Sequence, residues 1–188
     1  MTSETIISIF LGVGLAASAG FRVFLPLFIL SLAAHFNVID VSGNWEWIGS
    51  VAAIITLGVA MLFEIFAYYI PFVDNALDTI AVPLAAIAGT AVMVSTIAEL
   101  SPVVTWAMAI IAGGGTATLV KGASAGTRLT SSATTAGLGN PVVSTVETGS
   151  ALFMSVVSVF FPFLAVIFTI LILLLIFWFY KKLRPSKN

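Results

Sequence analysis

The sequence predicts an all-α integral membrane protein with about six transmembrane helices, and three features carry that expectation. Apolar residues make up 60% of the 188-residue chain and charged residues only 8%, against roughly 45–50% and about 25% in soluble domains. Apolar runs long enough for a bilayer succeed one another from Ile6 to Tyr180, separated by short polar turns. A six-residue segment of small residues ending in arginine also occurs twice.

So few charges cannot clothe a water-soluble surface. A cleaved signal peptide would account for roughly the first two dozen residues and leave the later apolar runs in place. At about 20 residues per crossing, six spans use most of the chain, so a single transmembrane domain over 1–188 is expected. The chain has no cysteine, which removes disulfides, thiolate metal sites and cysteine nucleophiles together. A net charge of -1 argues against a nucleic-acid partner. The expected partners are membrane lipid and a small solute, with no cofactor, and homo-oligomerisation is left open.

The first apolar run, Ile6 to Phe36, is longer than a bilayer core of about 30 Å requires at about 1.5 Å per residue, so a break is expected inside it. Ala17-Ser18-Ala19-Gly20, Arg22 and Pro26 locate that break: proline removes a helical donor, and small side chains admit close backbone approach. After the polar stretch Asn37 to Asn44, Trp45 and Trp47 stand where an interfacial aromatic belt would place them. A second span runs from Ile48 to Ile70 with Glu64 inside it. A turn at Pro71 to Asp74 leads into a third, about Asn75 to Ala98, which carries Asp78 and Pro83.

Glu99, Ser101 and Pro102 make the next turn. The fourth span, Val103 to about Val120, passes Gly113-Gly114-Gly115 and meets the most polar segment of the chain, Lys121 to Pro141. Its Gly, Ser and Thr content reads as irregular or re-entrant backbone. The fifth span is about Val142 to Phe161, with Glu147 in its first third, and the sixth is Pro162 to Tyr180. Trp178, Tyr180, Lys181, Lys182, Arg184 and Lys187 then form an aromatic and basic anchor around a tail at 181–188. Lys and Arg accumulate on the cytoplasmic side, so the C-terminus is expected inside, and six crossings put the N-terminus inside as well.

Ala17-Ser18-Ala19-Gly20-Phe21-Arg22 recurs as Ala123-Ser124-Ala125-Gly126-Thr127-Arg128, five of six positions identical at an offset of 106. Each copy belongs with the first span of a three-span unit, about 1–100 and 101–180. Three crossings per unit would turn the second unit over. The expectation is therefore an inverted 3+3 repeat with a discontinuous first helix in each half, and with the two arginine motifs facing each other near the pseudo-twofold axis.

The stretch Glu64, Ile70-Pro71, Val73-Asp74, Asp78 and Pro83-Leu84, followed by Lys121, Ala125-Gly126-Thr127-Arg128, Asn140-Pro141, Ser144 and Glu147, resembles the bacterial membrane family known as domain of unknown function 4126. The resemblance covers essentially the whole chain. It implies a multi-pass protein of the cell inner membrane and, by the family's own description, no activity. Two departures stand out: Val82 where the family often has arginine before the proline, and Glu147-Thr148 where it has an acidic pair. Any role of those charges does not carry over.

An ionisable group at the bilayer centre costs about 2.5–3.5 kcal/mol on insertion scales, which makes Arg22, Glu64, Arg128 and Glu147 the candidates for function. In one reading the arginines, with Ser18, Ser124 and Asn140, bind an anionic group, while Glu64, Glu147 and Lys121 carry protons or form ion pairs. In the other, the glutamates neutralise the arginines and the pairs only fix the packing. The two are compatible if a solute competes with the pair. Asp74 and Asp78, at i and i+4, are weak candidates for a divalent cation, with capping of the third span as the simpler role.

His35 has no second histidine and reads as an interfacial polar residue. Thr130, Ser131, Ser132, Thr134 and Thr135 are expected first to satisfy backbone groups. A serine hydrolase would need a positioned base; the chain has one distant histidine and no nucleophile elbow, which leaves only a Ser–Lys dyad on Lys121 open. The expected function is therefore a small transporter or channel, not an enzyme, moving a small anionic or lipid-phosphate solute, with proton coupling through Glu64 or Glu147 as an option. The alternative is a non-transporting scaffold or accessory subunit.

Overall fold

The computed structural model describes residues 2–70, 73–98 and 100–183, and all regular structure among them is helical. Hydrocarbon offers backbone groups no water, so a chain this apolar must satisfy them internally, and helices do so within one segment. Five helices are long and apolar enough to cross a membrane, or six if a pair bent by 66° at Ser50 counts as one span.

Helix α1 (Ser3–Phe21) begins at Thr2, whose side chain accepts from the Thr5 N–H, and it is buried along most of its length. It is the axis of the bundle. The chain then breaks, and α2 (Phe24–His35) folds back against α1, bringing Leu30 into one cluster with Leu15 and Leu11. A 3-10 segment, Gly43–Gly49, sits at the far end of α2. There the Ser31 hydroxyl donates to the Ile48 carbonyl at 2.5 Å, and Ser42 N–H donates to Ser95 O at 2.8 Å. Helix α3 (Val51–Ala67), capped by Ser50, returns to the level of the break.

Helix α4 (Val73–Thr96) runs antiparallel to α1: Gly12 packs against Met93 and Thr96, while Ala19 and Val23 cluster with Ala85 and Ala88. Next comes one continuous 34-residue helix, Pro102–Thr135. It consists of α5 (Pro102–Met108), a π-helical stretch Ala109–Gly114 and α6 (Gly115–Thr135). It is antiparallel to α4, and the two touch backbone to backbone; a Cβ on Gly113 would lie 2.5 Å from Gly89 O, and one on Gly89 2.6 Å from Gly113 O.

Helix α7 (Asn140–Phe160) is antiparallel to α1, with Gly14 against Ser158 and Ser18 against Ser155. Helix α8 (Pro162–Leu183) doubles back on α7, as the Phe153–Phe168 and Phe10–Phe163 ring contacts require, and is mostly exposed on the outside of the bundle.

Three expectations change. The Lys121 to Pro141 segment is not irregular: it stays helical to Thr135, and only Ala136–Gly139 turn, with Ala136 and Gly137 at positive φ. Its hydroxyls explain why. Thr127, Thr130, Thr134 and Thr135 each donate to the carbonyl four residues earlier, so their polarity is absorbed by the helix itself. Consequently only the first half has a broken first helix.

The other two changes concern direction. Because α1 and α6 are both antiparallel to α4, the two motif-bearing helices run the same way, and no rotation about an axis in the membrane plane relates them. The chain traverses the bundle an odd number of times, with α2 and α3 as one return trip. Ser3 and the end of α8 therefore lie at opposite ends of the bundle. Glu99, Pro71, Arg184 and Lys187 lie outside the described residues.

Candidate functional site: a cationic cluster around Tyr68

The α1–α2 break positions the first component of the site. Arg22 adopts extended backbone (φ −138°, ψ 126°) with its N–H still donating to Ser18 O. Pro26 falls in the first turn of α2, where its missing N–H costs nothing. The exposed amides of that turn need an acceptor, and α3 supplies it. Glu64 Oε1 accepts from Val23 N–H at 2.8 Å and Oε2 from Phe24 N–H at 2.9 Å. One carboxylate thus caps a helix from another part of the chain, where the positive end of the helix dipole favours it.

Arg22 is fully buried. Its Nε donates to Thr148 Oγ1 and its Nη2 to Ser144 O, both at 3.0 Å, and Nη2 lies 3.7 Å from Glu147 Oε2. Arg128 reaches the same carboxylate from α6: its Nε donates to Glu147 Oε1 at 3.1 Å, and its Nη2 contacts Glu147 Oε2 and donates to Ser144 Oγ at 3.0 Å. Ser124, one turn below Arg128, donates to Glu147 as well. The two repeated arginines therefore converge on one glutamate.

They also converge on one aromatic ring. The guanidinium carbons of Arg22 and Arg128 each stand 4.3 Å from the centroid of Tyr68, and Lys121 Nζ stands 4.9 Å from it. A phenol face attracts cations through its quadrupole, so three positive groups can share this centre. Lys121 is buried, and among the described residues its one hydrogen bond goes to Phe21 O at 3.5 Å. That bond is to backbone, which gives the serine–lysine dyad no support.

The family described as a domain of unknown function (DUF4126) matches residues 9–182. The chain belongs to that family. No curated protein and no solved structure matches it. The resemblance drawn from Glu64, Asp78, Lys121, Arg128 and Glu147 is borne out, and of these residues Arg128 and Lys121 stand over the Tyr68 ring, with Glu147 bound to Arg128.

The remaining expected residues are placed less centrally. Ser18 donates to Ala151 O and shares a hydrogen bond with Ser155, both at 2.7 Å, joining α1 to α7 about a turn away from Arg22. Asn140 donates to Asp74 Oδ2 at 2.8 Å and to Ser132 Oγ at 3.0 Å. Asp74 therefore tethers α4 to α7. Glu64 makes no ion pair with either arginine within 4 Å; it serves α2. His35 Nδ1 lies 2.8 Å from Gly49 O at the opposite end.

Tyr68, Ser144 and Thr148 complete the site. Tyr68 ends a span next to Tyr69, where an aromatic reads as a membrane-interface anchor; only its spacing of four from Glu64 hinted otherwise. Two cavities, of about 530 Å³ beside Trp45, Ile87 and Trp106 and about 470 Å³ around His35 and Asp40, lie away from the arginines.

Proposed function

We propose that this protein is a small transporter or channel for a solute bearing an anionic group, and that the cluster around Tyr68 is its binding centre. One observation carries the reading: Arg22 and Arg128, both buried, each keep an Nη1 without a hydrogen-bond partner. A buried donor left unmade costs about 1–3 kcal/mol, more for a charged group, and an oxyanion would satisfy both. Glu64, which caps the start of α2, is the group through which protonation would be coupled to movement of that helix. The resemblance to a bacterial membrane family supports a location in the cell inner membrane. With Lys181 and Lys182 on the cytoplasmic side, Ser3 faces outward.

A scaffold is the second reading, favoured by the Arg128–Glu147 pair, which is buried and bonded through two nitrogens. Reconstituted Arg22→Gln, Arg22→Lys, Arg128→Gln and Arg128→Lys variants separate the two. A binding arginine loses uptake as Lys, because the ammonium lacks the planar fork, while melting temperature is largely kept. If flux and stability fall together and both recover when Glu147 is neutralised in the same molecule, the transport reading is wrong.

A further inference from the structure

The orphaned atoms at this end of the bundle are not all donors. Asp78 Oδ1 and Asn140 Oδ1 are buried acceptors without a partner, alongside the two Nη1 donors. Asn140 stands one turn of α7 before Ser144, which both arginines touch. Asn140 has committed its amide nitrogen to Asp74 and Ser132. Asp74 and Asp78 stand one helical turn apart on α4 and share a face, so both orphaned acceptors border the same side of the cluster.

Lys121 adds to the donor side. It is completely buried, and among the described residues its ammonium makes no ion pair. A simple anion would satisfy Arg22, Arg128 and Lys121 and leave Asp78 and Asn140 bare. A simple cation would do the reverse.

We propose that the solute is a zwitterion, with an oxyanion and a primary ammonium on one short skeleton. This rests on the reading of the Tyr68 cluster as a binding centre. The oxyanion would be received by the two free Nη1 groups and Lys121 Nζ, and the ammonium by Asp78 Oδ1 with Asn140 Oδ1 as its second acceptor. The donors and acceptors of such a ligand match the unmet acceptors and donors of the protein. Carboxylate and phosphate share this chemistry, and the probes tell them apart.

The test is titration calorimetry on the purified full chain with five probes: glycine, phosphoethanolamine, acetate, inorganic phosphate and ethanolamine. At least one zwitterion should bind ten times more tightly than its matching simple anion and than ethanolamine. Glycine against acetate reports the carboxylate case, and phosphoethanolamine against phosphate the phosphate case. Asp78→Asn should abolish that tenfold preference, whereas Arg22→Gln should remove binding of every anionic probe. If acetate or phosphate binds the unmodified protein as tightly as its zwitterion, the zwitterion proposal is overturned and the anion site stands. If no probe binds, both are overturned. The comparison on unmodified protein decides the matter even if the Asp78 variant fails to fold.

Discussion

Glu147 is the counter-charge for two arginines and the acceptor for Ser124, so its loss strands more charge than any other single change in the cluster. Breaking a buried pair by removing one partner costs about 3–5 kcal/mol, because the other partner is left uncompensated. Glu147→Gln should therefore destabilise the protein by about that amount in denaturant unfolding, and Glu147→Gln with Arg128→Gln should recover a large part of it. An additive double variant would show that the pair is not the source of the effect. Tyr68→Leu keeps an apolar filling but removes the ring face, and a loss of about 0.5–2 kcal/mol is expected. At this scale the arginines were readable from their cost in lipid and their repetition, but their common partner was not. Apart from the spacing of four between Glu64 and Tyr68, nothing in the local sequence distinguishes a tyrosine at the membrane surface from one folded inward beneath two guanidinium groups.

One helix end and one helix crossing illustrate how elements here depend on distant residues. Helix α2 has no side-chain cap of its own; the two bonds from Glu64 fill that role. Glu64→Ala should cost about 0.5–2 kcal/mol, the usual value of a lost cap, and raise hydrogen exchange at Val23 and Phe24. Glu64→Gln, which keeps one acceptor, should fall between. At the other joint, Gly89 and Gly113 admit no Cβ without moving backbone, and Gly113→Ala should lower stability by about 1–3 kcal/mol through overpacking, read as a reduced denaturation midpoint.

The break in α1 was foreseeable, because Pro26 and a run too long for one crossing both mark it. The unbroken course of α6 was not, since Gly, Ser and Thr are loop formers in water and the composition carries no trace of the i−4 hydroxyl bonds that keep them helical in lipid.

At the scale of the molecule, direction decides the topology. The motif-bearing α1 and α6 run the same way, with α4 as the extra traverse that makes this possible, an arrangement compatible with a parallel repeat about the membrane normal. Single cysteines at Ser3 and Lys182, in a chain free of native cysteine, should be labelled from opposite faces of intact cells; labelling from the same face would refute the odd count. The number of apolar runs was readable in the sequence. Their parity was not, because the first run is two antiparallel helices whose turn lies inside the bundle, where no polar loop betrays it.

That buried turn also bears on how the protein is made. Helix α2 has only 12 residues, short of the roughly 17–25 that span a bilayer alone, and its leading amides find their acceptor 41 residues further along the chain. A ribosome that has released α2 has not yet released its partner. The first hairpin should therefore remain beside the translocon until α3 emerges, and nascent chains arrested before Glu64 should leave α2 extractable from the membrane while longer ones retain it.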